Sequence, residues 1–370
     1  MIYFDNSASS PLSRGVLEVM REELAHFANP SSLHRLGFEA EQRLKKAREQ
    51  VAKSIGALPE EIFFTSGGTE ADNLAIFGAV KKLRRRGNRI ITSDSEHPAV
   101  EKCMERLESE GFEVIRLKTR GGKLDPVEMA SAVNDKTILC AVMHTNNETG
   151  AVYDVATLSR LVKAKSPFAL VFSDGVQGYL KGPISPSALG LDLFSLSAHK
   201  ICGPKGVGAL WVKKGTNLPG IVCGGGQEKG LRSGTENLPG IIAFGKAAEE
   251  GKAQLDEACR RMQEIRQCII TEFADEKRVA FNLPQRASCH VLSMSVAPFR
   301  SEVLLHMLSE KEVFVSSGSA CSSHSGKSPV LQNFGLTQKE ADSTIRLSFS
   351  RLNTKEEAVE FCRILREILR

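Results

Sequence analysis

Ile62-Phe63-Phe64-Thr65-Ser66-Gly67-Gly68-Thr69-Glu70 is the stretch that decides the fold class. Ile62 to Thr65 is a short apolar run, two glycines break it, and a helical pattern then extends from Glu70 to Leu83. The same unit recurs downstream. Arg89–Thr92 reads as a strand and Ala99–Glu110 as a helix, Val114–Leu117 as a strand and Pro126–Val133 as a helix. Thr137–Met143 reads as a buried strand, Val155–Ala164 as a helix, and Phe168–Phe172 as a further strand. Such alternation predicts an α/β fold with a mostly parallel sheet wrapped by helices.

Working outward, Tyr3–Ala8 is an extended start, Arg14–Phe27 a helical stretch and Asn29–His34 a loop. Glu39–Ile55 is an amphipathic helix with Leu44, Ala47, Val51 and Ile55 on one face. Further on, Asp192–Trp211 contains two apolar runs, with Ser197, His199 and Lys200 at the bend and Pro204 stiffening the loop. From Ile241 to Glu272 one long charged helical pattern replaces the alternation. Strands at His290–Val296, Val313–Val315 and Ile345–Phe349, with helices at Glu302–Leu308 and Lys355–Leu369, make a smaller α+β unit. The expected division is 13–250 for a large domain and 251–370, joined by 1–12, for a small one.

Charge and cysteine usage narrow the function classes. A net charge of +5 over 370 residues is too slight for a nucleic-acid footprint, and one Trp and three Tyr offer few stacking platforms. The basic run Lys81–Arg86 is read as the solvated end of a helix. Nine cysteines without a Cys-x-x-Cys pair predict neither a zinc site nor a dithiol motif, and their odd number fits reduced thiols in the cytoplasm. No signal peptide and no apolar segment of membrane-spanning length is seen, so neither membrane nor direct nucleic-acid binding is expected.

Ligands of an open α/β sheet sit beyond the carboxyl ends of its strands. Those ends carry Gly67–Glu70, Ser95–Pro98 with His97, Asn146–Gly150, Asp174 with Gln177, and Ser197, His199 and Lys200. Each alone has an ordinary reading: a tight turn capped by Thr69, a solvated lysine, a loop histidine. Together they suit one cofactor, a phosphorylated cationic aldehyde. Bare amides at a helix start cradle phosphate, and a desolvated lysine is a candidate Schiff-base nucleophile. A carboxylate keeps a pyridine ring protonated, and an imidazole covers its face. No Gly-x-Gly-x-x-Gly, Gly-x-x-x-x-Gly-Lys-Ser/Thr or Gly-x-Ser-x-Gly motif competes.

The chain resembles the cysteine desulfurases of the pyridoxal-phosphate-dependent class V aminotransferase superfamily, in the group with an extended active-site cysteine loop. The resemblance rests on Tyr-Phe-Asp-Asn-Ser-Ala (3–8), Asn-Pro-Ser-Ser-Leu-His (29–34), Thr-Ser-Gly-Gly-Thr-Glu (65–70) and Ser-Glu-His-Pro-Ala (95–99). Asn-Asn-Glu-Thr-Gly (146–150), Asp-Gly-Val-Gln (174–177), Ser-Ala-His-Lys (197–200) and Gly-Pro-Lys-Gly (203–206) continue it. Arg-Ser-Gly-Thr-Glu-Asn (232–237), Ser-Ser-Gly-Ser-Ala-Cys (316–321) and Ile-Arg-Leu-Ser (345–348) complete the series. Ser9 and Ser10 stand where paired threonines are usual, Cys202 where tyrosine is common, and Ser350 where glycine usually follows.

The resemblance implies a type I fold with a seven-stranded sheet, pyridoxal 5'-phosphate as cofactor and no metal. It places the cofactor on Lys200, its ring nitrogen against Asp174, its ring face under His97 and its hydroxyl against Gln177. Gly68, Thr69, Ser197 and His199 would hold the phosphate, joined by Thr235 from the second subunit of a homodimer. Asn147 and Arg346 would bind the carboxylate of the substrate, L-cysteine.

Cys321 separates desulfuration from other chemistry on this scaffold. Its neighbours, Ser316 to Gly326, contain almost nothing to bury, and such a loop is expected to be mobile. By resemblance, its thiolate takes sulfur from L-cysteine, leaving L-alanine and a persulfide destined for an iron–sulfur scaffold or a transfer-RNA thiolation enzyme. A selenocysteine lyase, or another class V enzyme, is the alternative. His324 is a candidate to help deprotonate the Cys321 thiol, its ordinary reading being a solvated loop histidine, and Cys202, a second candidate thiol beside Lys200, reads as packing.

Overall fold

The computed structural model describes residues 1–317 and 328–370. Cys321, His324 and the expected mobility of their loop lie outside the described residues. In chain order the structure runs β1 (Ile2–Tyr3), α1 (Arg14–Glu23), α2 (Arg35–Ser54), β2 (Ile62–Thr65) and α3 (Gly68–Leu83). Then come β3 (Arg89–Ser93), α4 (Pro98–Ser109), β4 (Glu113–Leu117), α5 (Pro126–Ala132), β5 (Thr137–Ala141) and α6 (Val155–Lys165). Next are β6 (Leu170–Asp174), β7 (Leu193–Ser197), β8 (Gly208–Val212), α7 (Leu238–Ala253) and α8 (Leu255–Glu272). The remainder holds β9 (Val279–Phe281), β10 (Val291–Val296), α9 (Ser301–Glu310), β11 (Val313–Phe314), α10 (Pro329–Phe334), α11 (Gln338–Asp342), β12 (Thr344–Ser348) and α12 (Lys355–Ile368).

Strands β2 to β8 form a seven-stranded sheet in the order β2-β8-β7-β6-β5-β3-β4. Only β8 runs against the rest, pairing antiparallel with both β2 and β7. The mostly parallel α/β fold expected from the alternation is therefore what forms. β5, β6, β7 and β8 are buried at every position, as strands covered on both faces must be. Phe194 is fully buried, and enclosing a side chain of that size contributes about 2–3 kcal/mol.

Register places the chemistry. Gly208 pairs with Ser197 on one side and with Thr65 on the other. The loop 198–207, which carries Lys200, therefore lies beside the glycine turn that opens α3. Gly208 has to be glycine here, because a Cβ would lie 2.5 Å from the Leu196 carbonyl oxygen and 2.8 Å from Gly67.

A second set of strands stands apart from this sheet. β10 pairs antiparallel with β12 and β9, while β1 pairs in parallel with β11. Its apolar cluster joins Ile2 and Phe4 to residues of α8, β10, β12 and α12, with Phe4 edge-on to Phe349 at 5.0 Å.

The long helix expected over 241–272 is two helices meeting at Gln254, which ends α7 and begins α8. Leu255 packs with the cluster of the large sheet, whereas Met262 and Ile265 pack with the second cluster. The chain bends where its apolar face changes partner. Periodicity also missed β9, α10 and α11, which are three, six and five residues long. Among the described residues no helix is long and apolar enough to cross a membrane.

Candidate active site

A cavity of about 250 Å³ opens at the carboxyl ends of the parallel strands. Gly68, Thr69, His97, Asn147, Asp174, Gln177, Ser197, His199, Lys200 and Arg346 all line it, so ten of the residues anticipated from sequence converge. Thr235 does not. It is exposed and lines a smaller cavity with Ser66, Gly206 and Arg232 on the outer side of the glycine turn.

Lys200 leaves the sheet one turn after β7. Its Nζ donates to the carbonyl oxygens of Ser7 (2.5 Å) and Ala8 (2.8 Å). The loop beneath it is fixed: the amides of Ile201 and Gly203 donate to the Ala198 carbonyl, and the Cys202 amide donates to Ser10 Oγ at 2.7 Å. Cys202 is 1% exposed, as a packing residue should be.

The opposite wall is acidic. Asp174 ends β6, and its Oδ1 accepts from the Val176 amide (2.9 Å) and from Ser195 Oγ (3.3 Å). Sequence reading missed Asp72, which also lines the cavity from the second turn of α3. It lies one helical turn beyond Gly68, a spacing that puts both on one face. Burial, with the Asp174 charge beside it, pushes the Asp72 carboxyl well above its ordinary range. Its Oδ1 has no hydrogen-bond partner among the described residues.

His97 caps α4, its Nδ1 accepting from the Ala99 amide at 3.1 Å. That bond assigns the proton of the neutral ring to Nε2. Burial and the Lys200 charge hold the imidazole below its ordinary value, against an upward pull from Asp174. His199, pushed down to about 4 by burial and by Lys200 and Lys205, is neutral as well. Gln177 donates from Nε2 to the Ser7 carbonyl at 3.0 Å, and its Oε1 faces His290 Nε2 at 3.4 Å.

Arg346, on β12, is 2% exposed. It donates to the Asn147 carbonyl at 3.0 Å and pairs with Asp5 at 2.8 Å, while its Nε lacks a partner among the described residues. The neighbouring Asn146 has a purely architectural job. Its Oδ1 accepts from the amides of Glu148 and Thr149, and its Nδ2 donates to the Ser95 carbonyl.

Glu96 was part of a recognised motif without an assigned job. It is buried, accepts from Ser93 Oγ and receives the Met143 amide at 3.0 Å, tying the end of β3 to the end of β5. Burial pushes its carboxyl up to about 8. A raised carboxyl means that the folded protein holds a proton the unfolded chain releases, so this contribution to stability is lost as pH rises from about 4.5 to about 8. Glu96→Gln is expected to remove that slope, stabilising the protein at pH 8 relative to wild type by about 3–5 kcal/mol more than at pH 5. Denaturant titrations of both proteins at the two pH values measure it.

One wall thus offers helix-start amides and the buried Ser197 Oγ, unpartnered among the described residues, a set of donors suited to a phosphate. The rest offers an amine, a flat neutral imidazole and a carboxylate, the donor set of a pyridine-aldehyde cofactor. A Cβ on Gly68 would lie 2.7 Å from Val176 Cγ2, so only glycine lets the helix start approach the end of β6 this closely.

This architecture and donor set define a pyridoxal-phosphate enzyme. The aminotransferase class-V family profile matches residues 2–361, and the chain belongs to that family. Similar chains include the cysteine desulfurase IscS of Dictyoglomus turgidum, 40% identical over 96% of this chain and 91% of that one. The cysteine desulfurase IscS of Klebsiella pneumoniae is 41% identical over 96% and 89%. Among solved structures, a NifS-like protein superposes with a TM-score of 0.94 at 36% identity, covering 100% of this chain and 99% of that one. SspA in complex with cysteine superposes with a TM-score of 0.83 at 32% identity, covering 95% and 99%. The cofactor is pyridoxal 5'-phosphate, and the residues lining the cavity fit it.

Proposed function

We infer that the protein is a cysteine desulfurase that converts L-cysteine to L-alanine and holds the sulfur as a persulfide on Cys321. The observation that carries this reading is the convergence of Lys200, Asp174 and His97 on one cavity, with Arg346 and Asn147 beside them. Lys200 would hold the cofactor covalently, Asp174 would pair with its ring nitrogen, and His97 would cover its ring face. Gln177 meets the ring hydroxyl. Gly68, Thr69, Ser197 and His199 would hold the phosphate, with Thr235 of the partner subunit completing the cradle in a homodimer. The exposure of Thr235 beyond its own cavity supports that assignment.

The bound cofactor supplies an electron sink that weakens the bonds around the substrate's α-carbon. The chain does the rest. Arg346 presents a guanidinium fork for the substrate carboxylate, which takes over from Asp5, and Asn147 flanks it. Neutral His97 and the Lys200 amine are placed to carry protons. The Cys321 thiolate attacks the substrate sulfur, forming an S–S bond as the Cβ–S bond breaks. The electron pair left on Cβ takes up a proton to give the methyl group of alanine, and the persulfide then passes to an acceptor protein of iron–sulfur assembly or transfer-RNA thiolation. A cytoplasmic setting fits the free thiols. The two apolar clusters on either side of Gln254 support a large domain at 13–250 and a small one at 251–370 with 1–12.

Purified enzyme given L-cysteine is expected to form alanine, and without reductant to gain one persulfide per chain. A cofactor-loaded protein that forms no alanine from L-cysteine overturns the reading.

A further inference from the structure

Behind Gln177 stands a buried histidine that the desulfuration chemistry does not use. His290 precedes β10 by one residue, and its carbonyl accepts from the Phe349 amide at 2.8 Å, which fixes its backbone. Its side chain is 1% exposed and does not line the cofactor cavity. Nε2 lies 3.4 Å from Gln177 Oε1, and Nδ1 has no partner among the described residues. Gln177 follows the end of β6 and does line the cavity. Its Nε2 donates to the Ser7 carbonyl, which also accepts from Lys200.

Ser7 settles which atoms donate along this row. A carbonyl oxygen only accepts, so the Gln177 atom facing Ser7 is the amide nitrogen, and the atom facing His290 is the amide oxygen. That oxygen only accepts as well, so His290 Nε2 carries a proton and donates it. The charged groups that face His290 are Lys181, Arg346 and Lys200, all cations. With burial, they hold the imidazole well below its ordinary value. The neutral ring has one proton, and Nε2 holds it. Packing alone does not account for this residue. An apolar side chain of similar size would fill the space without leaving Nδ1 buried and unpaired, which costs stability. What the histidine adds is an N–H aimed at Gln177.

We propose, on the reading in which Gln177 meets the cofactor's ring hydroxyl, that His290 is a positioning residue acting through Gln177: it sets the amide so that an N–H, and not the oxygen, meets that hydroxyl. Oε1 is engaged by His290 and one N–H by Ser7, so the second N–H is what the amide has left for the cavity it lines. A donor on the ring oxygen favours its ionised form over O–H. Without His290, Oε1 is a buried acceptor in want of a donor, and the donor open to it is the ring's own O–H. The hydroxyl form then gains what the ionised form loses.

The test uses full-length protein loaded with pyridoxal 5'-phosphate, without cysteine, and reads absorbance at one fixed pH. Bound cofactor absorbs in the visible with its ring oxygen ionised and in the near ultraviolet with the hydroxyl protonated. His290→Leu is expected to lower the visible-to-ultraviolet ratio at least about fivefold, the loss of one hydrogen bond to a charged group. His290→Gln, whose side-chain amide donates from a similar reach, should stay within about twofold of wild type. Gln177→Leu should lower the ratio as far as His290→Leu does, and combining the two should lower it no further. His290→Met replaces the leucine variant if that chain does not fold, and cofactor released in alkali reports the loading of each protein. A ratio unchanged in the apolar His290 variants but lowered in Gln177→Leu overturns the proposal and leaves the desulfurase reading standing. An equal fall in His290→Gln and His290→Leu also overturns it. A ratio unchanged in Gln177→Leu removes Gln177 from the ring hydroxyl, and the role of His290 falls with it.

Discussion

Lys200→Ala is expected to abolish covalent attachment of pyridoxal phosphate and to lower alanine formation from L-cysteine by at least about a thousandfold. No other lysine lines the cavity among the described residues, so no neighbouring amine can substitute. The loop that carries Lys200 is held by the Ser197–Gly208 pair, by the Ala198 carbonyl and by Ser10. Two carbonyl groups from residues 7 and 8 then aim the amine. Trimming a half-buried side chain leaves those backbone contacts in place, so the variant should fold and bind the cofactor reversibly. Borohydride reduction followed by mass analysis reads the outcome directly. A reduced, covalently labelled chain in the alanine variant would remove Lys200 from its role.

Cys321→Ser should keep the cofactor and its visible absorbance yet lose persulfide formation, with sulfur release down by at least about a hundredfold. The expectation follows from elimination as well as from resemblance. The sequence has nine cysteines, the structure describes eight, and none of the eight lines the cavity. Cys103, Cys140, Cys202 and Cys362 are buried, and burial makes a thiol hard to ionise. A serine hydroxyl at position 321 ionises far less readily than a thiol and cannot hold sulfur as a persulfide. Radiolabelled L-cysteine followed by non-reducing gels distinguishes the two proteins, and a labelled Cys321→Ser chain would assign the sulfur elsewhere.

Most of the large sheet could be read from the sequence, because its parallel strands are short apolar runs, and the polar residues that line the cavity follow the ends of several of them. His97, Asp174 and Lys200 were legible for that reason. Asp72 was not, since an acidic residue inside a helix looks like a solvated position until the helix is seen to press that face against β6 and β7. The Asp5–Arg346 pair was invisible for another reason: its partners are separated by 341 residues, and no local pattern links them. The break at Gln254 escaped because helical periodicity persists through it, and what changes is the core being packed. Glu96 shows a subtler limit. Its motif was recognised, but only the Met143 amide and Ser93 hydroxyl around it reveal a buried acid.

Residues 5–8 lie across the finished cavity, bound at one end to Arg346 and at the other to Lys200 and Gln177. This fixes an order of events in biosynthesis. Asp5 leaves the ribosome 341 residues before its guanidinium partner exists, an interval of about 20–70 s at usual elongation rates. Through that interval the Lys200 loop is translated and the large sheet can assemble, but the cavity lacks its arginine wall. The wall that receives the substrate carboxylate is therefore completed only once β12 has been translated.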